Sequence, residues 1–216
     1  MLRGIWPTRV DGIDFYEMET AAVAVGGIGQ RAARRAAEAA ITRYNPGMVL
    51  SAGTAGALSP VLKIGQIVRS RGAVDADTGM VFPAGGNARV VTVSSVNGPV
   101  EKRTIAQRWK FAEAVDMEAA AVAEVAERHG IWFAAIKAIS DELEFAMPPL
   151  GEFVDQDGKF DTMRFAAFVA MRPRWWSSVR KLGANSKVAA MNLSHALQHL
   201  IVHRLKEEQE ENVPRV

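Results

Sequence analysis

Apolar and polar positions divide the chain into short strands and longer helical runs. Ile13 to Thr20 and Ala21 to Val25 read as two short strands, the second ending in Gly26-Gly27-Ile28-Gly29. The alanine- and arginine-rich run from Gln30 to Tyr44 has helical character, and Asn45-Pro46-Gly47 stops it. Met48-Val49-Leu50-Ser51 then reads as a buried strand, leading into a loop of small residues from Ala52 to Gly56. Further strands are expected at Ile67 to Val74 and Val90 to Ser94, on either side of the turn-rich segment Asp75 to Asn87. A helix is expected from near Ala114 to Arg128, with His129-Gly130 as its stop. Ile131 to Ile139 is the strongest strand pattern and ends on Ser140-Asp141. From about Asp161 to Glu210 the pattern is mostly helical and finishes in a solvated acidic tail.

This alternation predicts an α/β fold with a mostly parallel or mixed twisted sheet covered by helices. In such folds ligands lie beyond the carboxyl ends of strands. That rule selects the loop after Leu50 and the residues after Ile139.

Composition narrows the class. With 216 residues, 49% apolar and 23% charged, the chain reads as one globular domain over residues 1–216 with a sizeable core. A formal net charge of +2 points away from a nucleic-acid partner. The absence of cysteine excludes disulfides, thiolate metal sites and cysteine nucleophiles, and fits a cytoplasmic location. No apolar run approaches the ~18–20 residues that a membrane span needs, and the N-terminus lacks the apolar stretch of a signal peptide.

Several residues could carry chemistry. Asp141 follows an apolar strand, where partial desolvation would let a carboxyl hold a proton near neutral pH; the plainer reading is a cap for the turn Glu142 to Phe145. On a helix from near Asp116, Glu118 shares a face with Val122 and Val125, while Asp116, Glu124 and Glu127 fall where charge is expected. A carboxylate on an apolar face is costly unless something uses it, and the helix N-terminus would help to keep it ionised; the plainer reading is simple complement to the helix dipole. Gly53-Thr54-Ala55-Gly56 offers approachable N–H groups and one hydroxyl, without the GKS/T of a P-loop; such loops are usually only turns. Lys137, within an apolar strand, needs a partner or a ligand. His195, His199 and His203 share a helical face with no carboxylate at ligand spacing and give no metal set.

Three segments together resemble the nucleoside phosphorylase and nucleosidase superfamily, and within it the 5′-methylthioadenosine/S-adenosylhomocysteine nucleosidases. They are the stretch Leu50 to Val68 with its glycine loop and Leu-Lys-Ile-Gly-Gln-Ile-Val, the helix Val115-Asp-Met-Glu-Ala-Ala-Ala-Val-Ala123, and the strand end Ala138-Ile-Ser-Asp141. They stand in the family's order, which makes the set specific. Met147 to Ala196, with Arg172-Pro-Arg-Trp-Trp, looks more like the hopanoid-associated phosphorylase branch.

The resemblance implies a three-layer fold and cleavage of the N-glycosidic bond of a purine, in particular adenine, nucleoside by hydrolysis or phosphorolysis. It implies that Asp141 protonates the five-membered ring of the base, oriented by Ser140. Met117 and Glu118 would hold the ribose, Thr54 and Gly53 would lie near the attacking water or phosphate, and Val96 would line the base pocket. Lys137 takes the place of an arginine that helps to bind the nucleophile, and Asp116 the place of a glutamate. Ser51, where the bacterial purine phosphorylases carry a phosphate-binding arginine, favours hydrolysis.

The family's opening strand, which also carries a water-activating carboxylate, has no counterpart before Ile13. This leaves either an upstream start or a truncated chain of impaired activity, its exposed seam favouring self-association through its edge or leaving the residues up to Gly12 mobile. No cofactor is expected, phosphate being the alternative co-substrate, and the partner is a second copy in a homo-oligomer, a dimer first of all. Two other readings stand beside the enzyme: a catalytically impaired nucleoside-binding or assembly relative, and contact with a lipid surface through Arg172, Arg174, Trp175, Trp176, Arg180 and Lys181. A helix packed on its own domain or on a second copy is the plainer account of that last cluster.

Overall fold

The computed structural model describes residues 6–95 and 98–211, with side chains described as far as residue 201. The chain forms ten strands and five helices among these residues. β1 (Thr8–Val10), β2 (Ile13–Glu17) and β3 (Ala22–Val25) make a three-stranded antiparallel sheet in that order. Asp11 and Gly12, both at positive φ (50° and 78°), turn β1 into β2. Asp-Gly is the dipeptide that tolerates this backbone in a two-residue hairpin. β2 therefore gains a neighbour from the segment expected to be mobile, and Ile13 and Phe15 are buried against Ala36 of α1 (Gln30–Tyr44). Asn45 ends α1 in the left-handed conformation (φ 43°), as the Asn-Pro-Gly signal predicts.

The second sheet has seven strands in the order β5-β10-β4-β9-β8-β6-β7. They are β4 (Met48–Ala57), β5 (Ile67–Ser70), β6 (Gly72–Asp75), β7 (Val81–Phe82), β8 (Ala88–Thr92), β9 (Ala114–Asp116) and β10 (Trp132–Asp141). β10 runs parallel to β4, and β8 runs parallel to β6 and β9; the other pairs are antiparallel. The sheet is mixed, as the alternation predicts.

Two expectations need correction. The small-residue segment after Ser51 is not a loop: Ala52 to Gly56 continues β4 and pairs with Ile136 to Asp141. Residues without bulk let two parallel strands and a short third one meet there. The helix expected from Ala114 begins at Ala119, because Ala114 to Asp116 is drawn into the sheet as β9, between β8 and the end of β4. Tertiary pairing here overrides the helix propensity of an alanine-rich run. A helix that the pattern does not signal, α2 (Pro99–Arg108), starts with Pro99 in its first turn.

Side-chain alternation along β10 assigns the two faces of the sheet. Phe133, Ala135 and Ile139 enter the main core with α3 (Ala119–Arg128), which packs on α1 through small residues such as Ala33, Ala37 and Ala123. On the other face Ala134 and Ile136 line a cavity of about 520 Å³ that also includes Leu200 of α5 (Trp176–Glu211). α4 (Thr162–Ala170) precedes α5, capped by Asp161, whose carboxylate accepts from the Arg164 N–H at 2.9 Å. Arg172 lies over the Phe168 ring at 4.1 Å and Lys181 over Phe145 at 5.8 Å, so this basic-aromatic cluster packs partly on its own chain. None of the described helices is long and apolar enough to cross a membrane.

Candidate active site

The carboxyl-side ends of the parallel strands β10 and β4, with the short antiparallel β9 beside the end of β4, bring the three motif segments to one end of the sheet. Asp141 is the last residue of β10 and is 4% exposed. Its Oδ1 accepts from the Ser140 hydroxyl at 2.8 Å, and its Oδ2 forms an ion pair with Lys102 Nζ. The Ser140 hydroxyl also lies 3.4 Å from the Ala55 carbonyl of β4. Asp141 does not cap the following turn, which is closed by a Phe145 N–H bond to the Glu142 carbonyl. The sequence places Asp141 by itself in a desolvated cleft; the structure sets a buried ammonium against it.

Lys102 is the residue that sequence reasoning misses. It is 1% exposed, sits in the first turn of α2, and also donates to the Glu142 carbonyl at 2.9 Å. Its signal was available: Ile105, Ala106 and Trp109 pack inward from the same helix, and at offsets of three, four and seven they put Lys102 on that inner face. Gly56 of β4 makes room for the pair. A Cβ there would meet Asp141 Oδ2 at 2.8 Å and Lys102 Cε at 2.9 Å.

The second buried lysine has a different setting. Lys137 Nζ, 1% exposed, forms an ion pair with Asp116 Oδ2 at 2.7 Å and donates to Ser51 Oγ at 3.0 Å. Asp116 is not on a solvated helix side, as expected, but buried at the end of β9. Its Oδ1 accepts from the Thr92 hydroxyl at 2.7 Å, and its Oδ2 also accepts from the Ala119 N–H at 2.9 Å. The Thr92 hydroxyl in turn accepts from the Ala120 N–H at 2.8 Å. Asp116 and Thr92 therefore satisfy the first donors of α3.

That arrangement frees Glu118. It stands at the N-cap of α3, before the helix body rather than on its apolar face, and its carboxylate takes no part in capping that helix. Instead Oε1 accepts from the Gly29 N–H at 2.9 Å, across 89 residues of sequence, and Oε2 from the Met117 N–H at 3.3 Å. Burial and the nearby Asp116 carboxylate push the Glu118 carboxyl above its ordinary value, while Lys137 and the two backbone donors pull it down. The expectation that the helix terminus holds it ionised is thus reversed in direction. The Gly26-Gly29 loop acquires a role beyond turning the chain.

Of the remaining predicted positions, Met117 is half-buried against the cluster of Leu58, Val74 and Val115. Gly53 stands opposite Lys137 in the β4–β10 register, and Thr54 is exposed on the next position of β4. Val96 lies outside the described residues.

Comparison with known proteins adds an independent line. The Phosphorylase superfamily profile matches residues 11–97 and 84–170. A 5′-methylthioadenosine/S-adenosylhomocysteine nucleosidase of Psychromonas ingrahamii is 26% identical, the match covering 65% of this chain and 78% of that protein. Among solved structures, the nucleosidase of the same kind from Neisseria meningitidis, in complex with methylthio-immucillin-A, superposes with a TM-score of 0.60 at 21% identity over 90% of both chains. Native futalosine hydrolase of Helicobacter pylori superposes with a TM-score of 0.55 at 18% identity, over 85% of this chain and 90% of the other. The solved structures carry the likeness of the fold, and the profile spans far more than half the sequence: the chain belongs to the phosphorylase superfamily.

Proposed function

We propose that this chain cleaves the N-glycosidic bond of a purine nucleoside, with adenine as the base and 5′-methylthioadenosine as the first substrate to test. The observation that carries this reading is a buried, hydroxyl-oriented Asp141 at the end of β10 together with a half-buried Glu118 that does not cap its own helix, just past the nearby β9. The relatives named as nucleosidases acting on adenine nucleosides support the substrate class.

In this reading the nucleoside lies with its base toward Asp141 and its ribose toward Met117 and Glu118. As the bond from C1′ to the base breaks, electron density moves onto the base, and Asp141 delivers a proton to the five-membered ring so that it leaves neutral. Hydrogen bonds from ribose hydroxyls to Glu118 strengthen as positive charge develops on the sugar. Water then adds to C1′. Lys137 is tied to Asp116 and Ser51, which supports a role in shaping the nucleophile's side of the site around Gly53 and Thr54 rather than in direct phosphate binding. Hydrolysis is accordingly the favoured outcome.

The test is Asp141→Asn. An amide cannot deliver the proton, so adenine release from 5′-methylthioadenosine should fall ~10²-fold or more with the fold retained. Release at the wild-type rate would remove Asp141 from the acid role.

A further inference from the structure

Lys102 has no part in the proposed function so far, and its burial calls for a reason. A buried Lys–Asp pair is a poor source of stability, because desolvating both charges consumes the gain from their attraction. An apolar side chain at position 102 would continue the inward stripe of Ile105, Ala106 and Trp109 at no such cost. Instead the chain keeps an ammonium there, fastens it to the Glu142 carbonyl at 2.9 Å, and leaves position 56 without a Cβ so that the ammonium reaches Asp141.

The surrounding charges are otherwise occupied or turned away. On α2, Glu101 and Arg103 are exposed, and Arg103 pairs with Glu144. After β10, the Glu142 carboxylate pairs with Lys63 at 3.5 Å. β4 brings glycine to the contact. Among the described residues, Asp141 is thus the carboxylate that Lys102 Nζ serves.

We infer that Lys102 is the proton source behind Asp141: the two side chains hold the transferable proton jointly, and Lys102 replenishes the carboxyl as it protonates the departing purine. This rests on the acid role proposed above for Asp141. The bond between base and C1′ breaks with its electron pair going to the base. Lys102 Nζ passes a proton to the Asp141 carboxylate as that group protonates the ring nitrogen, so Asp141 ends as it began and the proton given up is the ammonium's. Water bonds to C1′ and releases a proton, and the neutral amine recovers one from solvent once the base has gone. Lys102 acts through Asp141 and does not touch the nucleoside.

The consequence is a pH dependence that a structural ion pair would not create. In the wild type the proton comes from the ammonium–carboxylate pair, and without Lys102 from the carboxyl alone, so the pH profile of turnover should differ between the two. The experiment measures kcat/KM for 5′-methylthioadenosine against pH for the wild type, Lys102→Met and Asp141→Asn, with unfolding midpoints to verify folding. Lys102→Gln, which retains a hydrogen bond to Asp141, stands in if the methionine variant does not fold. The alkaline limb should move to lower pH by about one unit or more in the Lys102 variants.

As a control, a purine nucleoside already alkylated at the same ring nitrogen leaves as a neutral base without taking up a proton. Its cleavage should lack that limb. A limb at the same pH in wild type and in a folded Lys102 variant, or one that persists with the alkylated nucleoside, overturns the inference. If Asp141→Asn is fully active, the acid assignment fails first and this inference fails with it. If Asp141→Asn is inactive while the limb is unmoved, only the role of Lys102 falls.

Discussion

Lys137 and Lys102 make an instructive pair. Each is 1% exposed, and each faces an aspartate at the end of a strand. Around Lys137 the fold closes on itself: Asp116 also accepts from Thr92 and Ala119, and Ser51 takes a further proton of the ammonium. Around Asp141 there are two partners, Ser140 and Lys102, from the neighbouring residue and from the first turn of α2. One aspartate is committed to holding β9, β10 and the start of α3 together. The other has unused acceptor capacity, since a carboxylate offers about four lone-pair sites. Buried charge therefore does two jobs within one sheet, and the number of fold-supplied partners tells them apart.

The comparison breaks most sharply at Lys137. Lys137→Met would leave Asp116 buried and unpaired, and the unfolding free energy from denaturant titration should drop by about 3–5 kcal/mol. A drop well under that would mean that Thr92 and the Ala119 N–H suffice, and the contrast between the two pairs would lose its basis.

Two glycines on the same strand sharpen it. In Gly56→Ala the new methyl would press on Asp141 and Lys102, and we expect about 1–3 kcal/mol of lost stability together with reduced turnover. In Gly53→Ala the methyl would stand 3.6 Å from Lys137 Nζ, an ordinary contact, and stability should stay near wild type. Equal penalties at the two positions would refute the difference in packing.

The smallest effect on stability is expected at Glu118. Its carboxyl value is raised in the folded chain, so its contribution to stability is whole below the ordinary carboxylate range and is lost as pH rises through the elevated native value. Glu118→Gln removes that loss. The variant should be at least as stable as wild type near neutral pH, with a flatter pH–stability curve, while turnover falls more than nucleoside affinity. A destabilised variant with unchanged turnover would return Glu118 to a packing role.

Much of this was legible in the residues. The bounds of α1 follow from an alanine-rich run with clear stops, and the strand leading to Asp141 from continuous apolar character. A lysine within an apolar strand needs a partner, and for Lys137 Asp116 supplies it. Both positions depart from the family pattern, lysine standing for arginine and aspartate for glutamate. The structure shows them to be two ends of one contact.

What escaped has physical causes. Ala114 to Asp116 carries helix-forming neighbours, and only its pairing with strands distant in sequence makes it β9. Lys102 hid because a charged residue breaks the apolar stripe that would have announced α2. Asp11-Gly12 is a two-residue hairpin signal, but three exposed residues in β1 carry no apolar alternation to mark the strand that it turns.

The Gly29 contact reaches further than the carboxylate that it serves. The N–H of the preceding residue, Ile28, donates at 2.8 Å to the carbonyl of Gly158, which sits in a turn at φ 78° with no room for a side chain against that loop. A chain of neighbours thus runs from the Asp155–Gly158 turn through Ile28 and Gly29 to Glu118. Drift in that turn, far along the sequence from every motif residue, would move the backbone donor that holds the Glu118 carboxylate, so a loop and a half-buried acid are tied to change together.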